Sequence, residues 1–294
     1  MKYTKYIFAI IFSTICLWSC EDVVEVPLEN SEASIVVDAW LNNLAEDQSI
    51  RITKSQPYFD NNFSSGLVGA EVTVIKNETE IFEFIDEGEG DYVLSTDEPI
   101  GIDGDEFKLE IIAEGKNLSA VATMNAAPVI DSITYEVRDE LFEEGIYCNF
   151  FSRDLEGTGD TYWIKTYKNN VYLSKPIEIN IAYDAGFDAG FETDGVVFIT
   201  PIREAMNPIA DSMATGISPW EFGDLARVEI HSMNEEVFYF MESVRDQLLN
   251  SLNTIFAEPL VNPRGNIINN TDEDIILGAF NVGEISSLEF LIEE

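Results

Sequence analysis

Histidine, cysteine and basic residues are scarce in this chain. Its 294 residues include one histidine, three cysteines, and 16 Lys plus Arg against 55 Asp plus Glu. One histidine excludes a metal site built from several imidazoles, and three cysteines exclude both a four-thiolate zinc site and a multi-disulfide scaffold. The formal net charge of -39 repels phosphate groups, which excludes nucleic-acid binding.

Apolar residues are plentiful by contrast. Hydrophobic residues make up 46% of the chain and aromatic residues 12%, enough for one large core or two small ones. The sequence therefore predicts a folded protein and excludes a disordered tail.

The first 20 residues, MKYTKYIFAIIFSTICLWSC, are typical of an export leader. Two lysines precede an apolar run of about 12 residues, shorter than the roughly 20 that a transmembrane helix needs. We therefore expect a signal peptide over residues 1–19. The segment from Leu17 to Cys20 resembles the bacterial lipobox, which implies cleavage before Cys20 and a lipid, with acyl chains such as palmitate, on its sulfur. The alternative is an ordinary thiol beside an ordinary cleavage site.

A polar tether over residues 20–33 begins at the lipidation site and connects it to the first strands. Glu21 and Asp22 resemble the acidic signal that directs some lipoproteins to the outer face of the outer membrane. Two acids in so acidic a chain are equally expected from composition alone.

Period-two alternation of β-branched and aromatic residues begins at Ser34. It predicts seven strands, at residues 34–40, 48–54, 70–76, 79–85, 90–95, 105–113 and 118–124, with Asn, Asp and Gly turns between them. This is a mainly β pattern, and we predict an immunoglobulin-like β-sandwich over residues 34–127. A break before Pro128 marks the boundary to a second β-rich domain over residues 128–294.

The second domain is predicted to contain eight strands and one amphipathic helix. The strands are expected at residues 129–137, 146–153, 160–168, 171–182, 195–201, 224–231, 275–281 and 286–292. The helix, at about residues 233–252, carries apolar residues at helical spacing, and a capping box of Ser232 and Glu235 is expected to begin it. We expect this apolar face to pack on a sheet.

Two acidic loops are candidate calcium sites, because hard cations prefer clustered carboxylates and carbonyls in a turn. The candidate ligands are Asp154, Glu156 and Asp160 in the first loop, and Asp184, Asp188, Glu192 and Asp194 in the second. Solvated acidic turns are the alternative. No other cofactor is expected.

Aromatic residues are the candidate ligand contacts, and Trp163, Trp220 and Tyr58 are expected to be exposed for that purpose. The alternative for each is a residue of the core or of its rim. Nucleophilic catalysis has no support in the sequence. Cys148 alternates in phase with apolar neighbours and is predicted to be a buried thiol, whereas His231 is predicted to lie at a strand end. We therefore predict that the chain is not an enzyme.

Several segments, taken in their order along the chain, resemble those of a known protein family. The segments are SIVVDAWL, residues 68–74, residues 90–92, DLEGTGDTYWIK, ARVEIHSMNEEVFYFMESVRDQL, and residues 256–259, 262–263, 266–267 and 277–280. Together they are similar to the Bacteroidota outer-membrane lipoproteins of domain-of-unknown-function family 4249. The resemblance implies a transthyretin-like sandwich in the first half and a genetic neighbourhood with TonB-dependent receptors. It implies no catalytic residues.

Three functions follow as hypotheses. The first is a non-catalytic binding module that is lipid-anchored at the outer membrane and partners a TonB-dependent receptor in nutrient uptake. Surface exposure on the external face and a periplasmic position are both open for it. The second is a structural lipoprotein for cell-surface adhesion or envelope assembly. The third, with the least support, is a carboxylate-based hydrolase. A chain with 55 acids contains some carboxylate pair whatever its function, so such a pair does not itself favour catalysis.

Overall fold

A computed structural model describes residues 33–57, 64–140, 143–190, 192–209, 220–250 and 261–294. Residues Ala33–Glu294 form one compact unit. The leader, the lipidation site Cys20 and the tether before Ala33 lie outside the described residues, as does Tyr58.

The described residues are mainly β. The strands are β1 (Ile35–Asn42), β2 (Gln48–Lys54), β3 (Glu71–Lys76), β4 (Glu80–Gly88), β5 (Asp91–Leu94), β6 (Glu106–Ala113), β7 (Lys116–Thr123), β8 (Ile130–Glu140), β9 (Glu143–Ser152), β10 (Thr161–Lys168), β11 (Val171–Tyr172), β12 (Asn180–Tyr183), β13 (Leu225–Met233), β14 (Ile268–Asn269), β15 (Leu277–Gly283) and β16 (Ile285–Leu291). The helices are α1 (Thr200–Glu204) and α2 (Glu235–Asn250), and Pro176–Glu178 forms a 3-10 turn.

The first sheet has nine strands in the order β14-β7-β6-β3-β4-β5-β2-β1-β15. It curls around a core of alternating buried residues in the manner of a sandwich, as the burial pattern of β1 illustrates. All seven strands predicted between residues 34 and 124 are confirmed, with ends shifted by at most a few residues.

β15 completes the first sheet through a parallel pairing with β1. Gly278 lies opposite Val37 with a φ of 91°, and a Cβ there would approach the Val37 carbonyl oxygen to 1.9 Å. Only glycine fits this approach. β14 and β15 both follow residue 128 in the chain, so the segment 34–127 does not build the sheet alone.

The second sheet follows the order β11-β10-β13-β16, with β12 also paired to β10. One face packs on the β8–β9 hairpin around a buried core, and α2 packs on the opposite face. The amphipathic helix is confirmed, and its apolar face is part of a core cluster, as expected.

Three local predictions are wrong. The strand expected at 171–182 is interrupted by the turn Pro176–Glu178. The strand expected at 195–201 gives way to α1, because Pro201 lacks an N–H and its fixed φ suits the first turn of a helix.

The third wrong prediction is the capping box of α2. Ser232 lies within β13, where its hydroxyl donates to the Asn125 carbonyl. The carbonyl of Asn234 instead accepts the first helical hydrogen bonds, from the N–H groups of Val237 and Phe238.

Candidate functional site

The acidic residues of the two predicted loops meet at one end of the second sheet. β10 and β12 are antiparallel, with Thr161 opposite Tyr183. The residue before β10, Asp160, and the residue after β12, Asp184, are therefore neighbours. Asp154, which follows β9, completes a triad whose carboxylate oxygens lie within 4.8 Å of one another.

Hydrogen bonds fix two members of the triad. The Asp154 carboxylate accepts from the Tyr162 hydroxyl at 2.7 Å and from the Gly195 N–H at 3.1 Å. The Asp184 Oδ1 accepts from the N–H groups of Gly159 at 2.7 Å and Asp160 at 3.0 Å. The chain thus holds two carboxylates in place before any ligand binds.

Burial and mutual repulsion perturb the triad electrostatically. Burial raises the pKa of Asp154 to about 6. Burial also raises the pKa of Asp160, and the negative charges of Asp184 and Asp194 raise it further. Either a proton or a cation relieves such crowding of like charges.

Three converging carboxylates are part of the donor set of a hard divalent cation such as Ca²⁺. The structure therefore changes the predicted grouping. Instead of one candidate site in each loop, it brings together one set drawn from both loops. Calcium binding itself stays a prediction.

The four other candidate ligands lie outside the triad. Glu156, Asp188, Glu192 and Asp194 are exposed. Asp194 has a structural contact, because its carboxylate accepts from the Gly157 N–H at 2.8 Å. These acids add negative charge around the triad without joining it.

Trp163 lies on the face of the second sheet that α2 partly covers. Its ring centroid is 5.1 Å from that of Trp40 in β1, in an edge-to-face arrangement, and 6.4 Å from that of Tyr172. The Lys165 ammonium lies 4.0 Å from the Trp163 ring centroid. Trp163 is half-buried, so part of its side chain packs in the structure and part is accessible to solvent.

Charged side chains continue this face beside Trp163. Lys165 lies opposite Glu229 in the β10–β13 pairing, and burial lowers the pKa of Lys165. Burial also lowers the pKa of His231, whose Nε2 is 2.9 Å from a Glu229 carboxylate oxygen. A small cavity of about 110 Å³ lies here, and Trp40, Lys165 and His231 are among its lining residues.

His231 and Lys165 were not predicted as members of this face. His231 lies in β13, third from its end, and is engaged with Glu229. The sequence signal was available for Lys165, because period-two alternation places it in phase with Trp163 on β10.

The other sequence candidates have separate outcomes. Trp220 is 2% exposed and belongs to the core under the β8–β9 hairpin, so the expectation of an exposed ring is wrong. Cys148 is fully buried in the same core, and burial raises the pKa of its thiol to about 12. The prediction of a buried thiol is confirmed.

Comparisons with known proteins give a family and little else. A two-domain fibronectin type III segment of chicken tenascin is 10% identical, over 69% of this chain and 90% of its own, with a TM-score of 0.18. A score this low does not establish a shared fold. A comparison with curated proteins gives no match. Within the described part of the chain, no helix is long and apolar enough to span a membrane.

The family model described as Domain of unknown function (DUF4249) matches residues 21–289. It covers the first sheet, the acidic triad, α2 and the second sheet as far as residue 289 in β16. The chain therefore belongs to the DUF4249 family.

Proposed function

We propose that this chain is a lipid-anchored, non-catalytic binding module at the outer membrane that partners a TonB-dependent receptor in nutrient uptake. The lipobox-like segment before Cys20 supports the anchor. The family resemblance supports the receptor as partner. Neither observation identifies the surface of the chain that would contact the receptor.

The observation that carries the binding role is the face around Trp163. It combines three aromatic rings, those of Trp40, Trp163 and Tyr172, with the cation of Lys165. Half-buried aromatic rings beside a few polar groups are a common composition of ligand and protein contact surfaces. The rigid sheet beneath holds these side chains in position.

Charge around Trp163 supports recognition of a polar partner. Burial opposes the ionisation of Glu229, but its hydrogen bonds with His231 and Tyr167 and the positive charge of Arg227 hold its pKa below its ordinary value, so it carries a negative charge. The Arg227 guanidinium lies 4.0 Å from the Tyr167 ring centroid on the same face. The face therefore presents charges of both signs within an acidic protein.

Affinity purification tests the proposal. A C-terminally tagged chain is extracted from its native outer membrane in mild detergent, and its partners are identified by mass spectrometry. Trp163→Ala is expected to reduce the recovered receptor at least tenfold. Tyr239→Ala removes a ring that is 47% exposed on α2 and is the matched control, expected to leave recovery unchanged. Equal recovery with both variants would contradict the assignment of this face.

A further inference from the structure

A second cleft lies on the far side of the β8–β9 hairpin, away from the Trp163 face. Its volume is about 360 Å³. The hairpin register places Thr134 opposite Asn149 on its floor, and α1 supplies Thr200, Arg203 and Glu204 to its wall.

α1 is held rigidly against the hairpin. The Asn207 side chain accepts a hydrogen bond from the Cys148 N–H at 2.7 Å and donates one to the Cys148 carbonyl at 2.9 Å, so it pairs with β9 as a strand residue would. Ile202 anchors the helix in the core with no exposed surface. The position of Arg203 is thereby fixed.

The two arginines of the cleft differ in their partners. Arg138 donates to Glu136 and, at 2.7 Å, to Glu204, so two carboxylates pair with its positive charge. Arg203 donates one hydrogen bond, of 3.0 Å, to the Thr200 hydroxyl. Among the described residues no carboxylate pairs with Arg203, and its buried Nε has no acceptor.

Although the chain has 55 acids against 16 bases, the structure places none of the described carboxylates on the Arg203 guanidinium. The Arg203 guanidinium lies 4.6 Å from the Phe151 ring centroid, which orients its plane. A planar guanidinium with free N–H groups matches a carboxylate in a bidentate geometry.

We propose that this cleft binds a small ligand that carries one carboxylate, with Arg203 as the residue that pairs with it. Glu136 and Glu204 already place two negative charges in the cleft, so a dianion meets more repulsion than a monoanion. The volume is at the lower end of the roughly 300–1,000 Å³ of small-ligand sites. The Phe151 ring and the polar Thr134 and Asn149 suit a single ring, either sugar or aromatic. This inference does not rest on the receptor partnership.

Calorimetry tests the proposal on the full chain in mild detergent at about 0.15 M salt, where screening limits the long-range repulsion from the net charge. The probes are glucuronate and benzoate, and the neutral controls are glucose and benzyl alcohol. We expect at least one carboxylate to bind and its neutral counterpart not to bind. Glucuronate alone would identify a sugar acid, and benzoate alone an aromatic acid. Binding of neither carboxylate would overturn the proposal.

Matched variants locate the binding. Arg203→Gln is expected to weaken carboxylate binding at least tenfold, since it removes a charge-assisted pair. Arg51→Gln removes the same charge from an exposed ion pair between Arg51 in β2 and Asp91 in β5, and it is expected to leave carboxylate binding unchanged. Asn149→Asp adds a negative charge to the cleft floor and is expected to weaken binding as well, which keeps the test valid if Arg203→Gln fails to fold. Equal losses in the Arg51 and Arg203 variants would also overturn the assignment.

Discussion

The Asp184 carboxylate accepts a hydrogen bond of 3.0 Å from the backbone N–H of Asp160, which lies 24 positions earlier in the chain. The carboxylate of Asp160 itself lies within 4.8 Å of that of Asp184, and Asp154 is as close. The β10–β12 pairing forces this proximity, so like charges are crowded in the folded state. The stability of the protein should therefore depend on what neutralises them.

Protonation is the first way to neutralise the triad. Burial raises the pKa of Asp154 from 3.8 in the unfolded chain to about 6 in the folded protein. The protonated carboxyl therefore stabilises the fold at low pH, and this stabilisation is lost as the pH rises through about 6. Asp154→Asn removes this loss and keeps an acceptor for Tyr162. We expect the variant to melt above the wild type at about pH 7.5 in the absence of divalent cations, with a gap that shrinks toward about pH 4.5.

Thermal melts followed by circular dichroism across this pH range measure the difference. Glu156→Gln changes an exposed acid of the same loop and is the matched control. A gap that is independent of pH, or one equally large for the control, would show that Asp154 is not the titrating group.

Calcium is the second way to neutralise the triad. If Ca²⁺ binds there, a hundredfold excess over its Kd stabilises the fold by about 2.7 kcal/mol. We expect the melting temperature to rise by several degrees, and Asp160→Asn to abolish most of the rise. Asp188→Asn, an exposed acid outside the triad, should keep it. An equal rise in both variants would indicate general screening of the negative charge.

Trp220 is buried in the core, so we expect its replacement to reduce stability rather than ligand binding. Trp220→Ala should cost about 3–5 kcal/mol of unfolding free energy, as for other buried large aromatic residues. Phe222→Ala truncates a neighbouring ring that is 45% exposed and should cost about 1 kcal/mol. Chemical denaturation measures both, and equal costs would contradict the placement of Trp220.

Gly278 is predicted to be indispensable for the pairing of β1 with β15. Gly278→Ala places a Cβ against the Val37 carbonyl and should cost more than about 3 kcal/mol. Gly104 has a similar φ of 87° but open space around it, so Gly104→Ala isolates the backbone strain at about 1–2 kcal/mol. Similar denaturation midpoints for the two variants would contradict the close approach at Gly278.

Local sequence patterns predicted the elements whose causes are local. Period-two alternation of apolar residues predicted the first seven strands, and apolar residues at helical spacing predicted α2, because each pattern depends on residues a few positions apart. The burial of Cys148 followed from the same phase argument.

Features that depend on long-range pairing could not be predicted. The parallel pairing of Val37 with Gly278 joins distant parts of the chain, and no local pattern encodes that register. The acidic triad depends on which strands pair, so the sequence showed two loops where the fold makes one cluster. Trp220 follows a segment of sequence without hydrophobic periodicity, so its burial could not be predicted from a local pattern. Arg203 follows Pro201, whose effect on the local structure was missed.

Purification of the wild-type chain beside Cys20→Ala tests whether the protein binds a TonB-dependent receptor from a lipid anchor. We expect the wild type to fractionate with the outer membrane and to recover one receptor in stoichiometric amount, and Cys20→Ala to be lost from the membrane fraction. Recovery of the wild-type chain alone from its native membrane would disprove the partnership with a receptor.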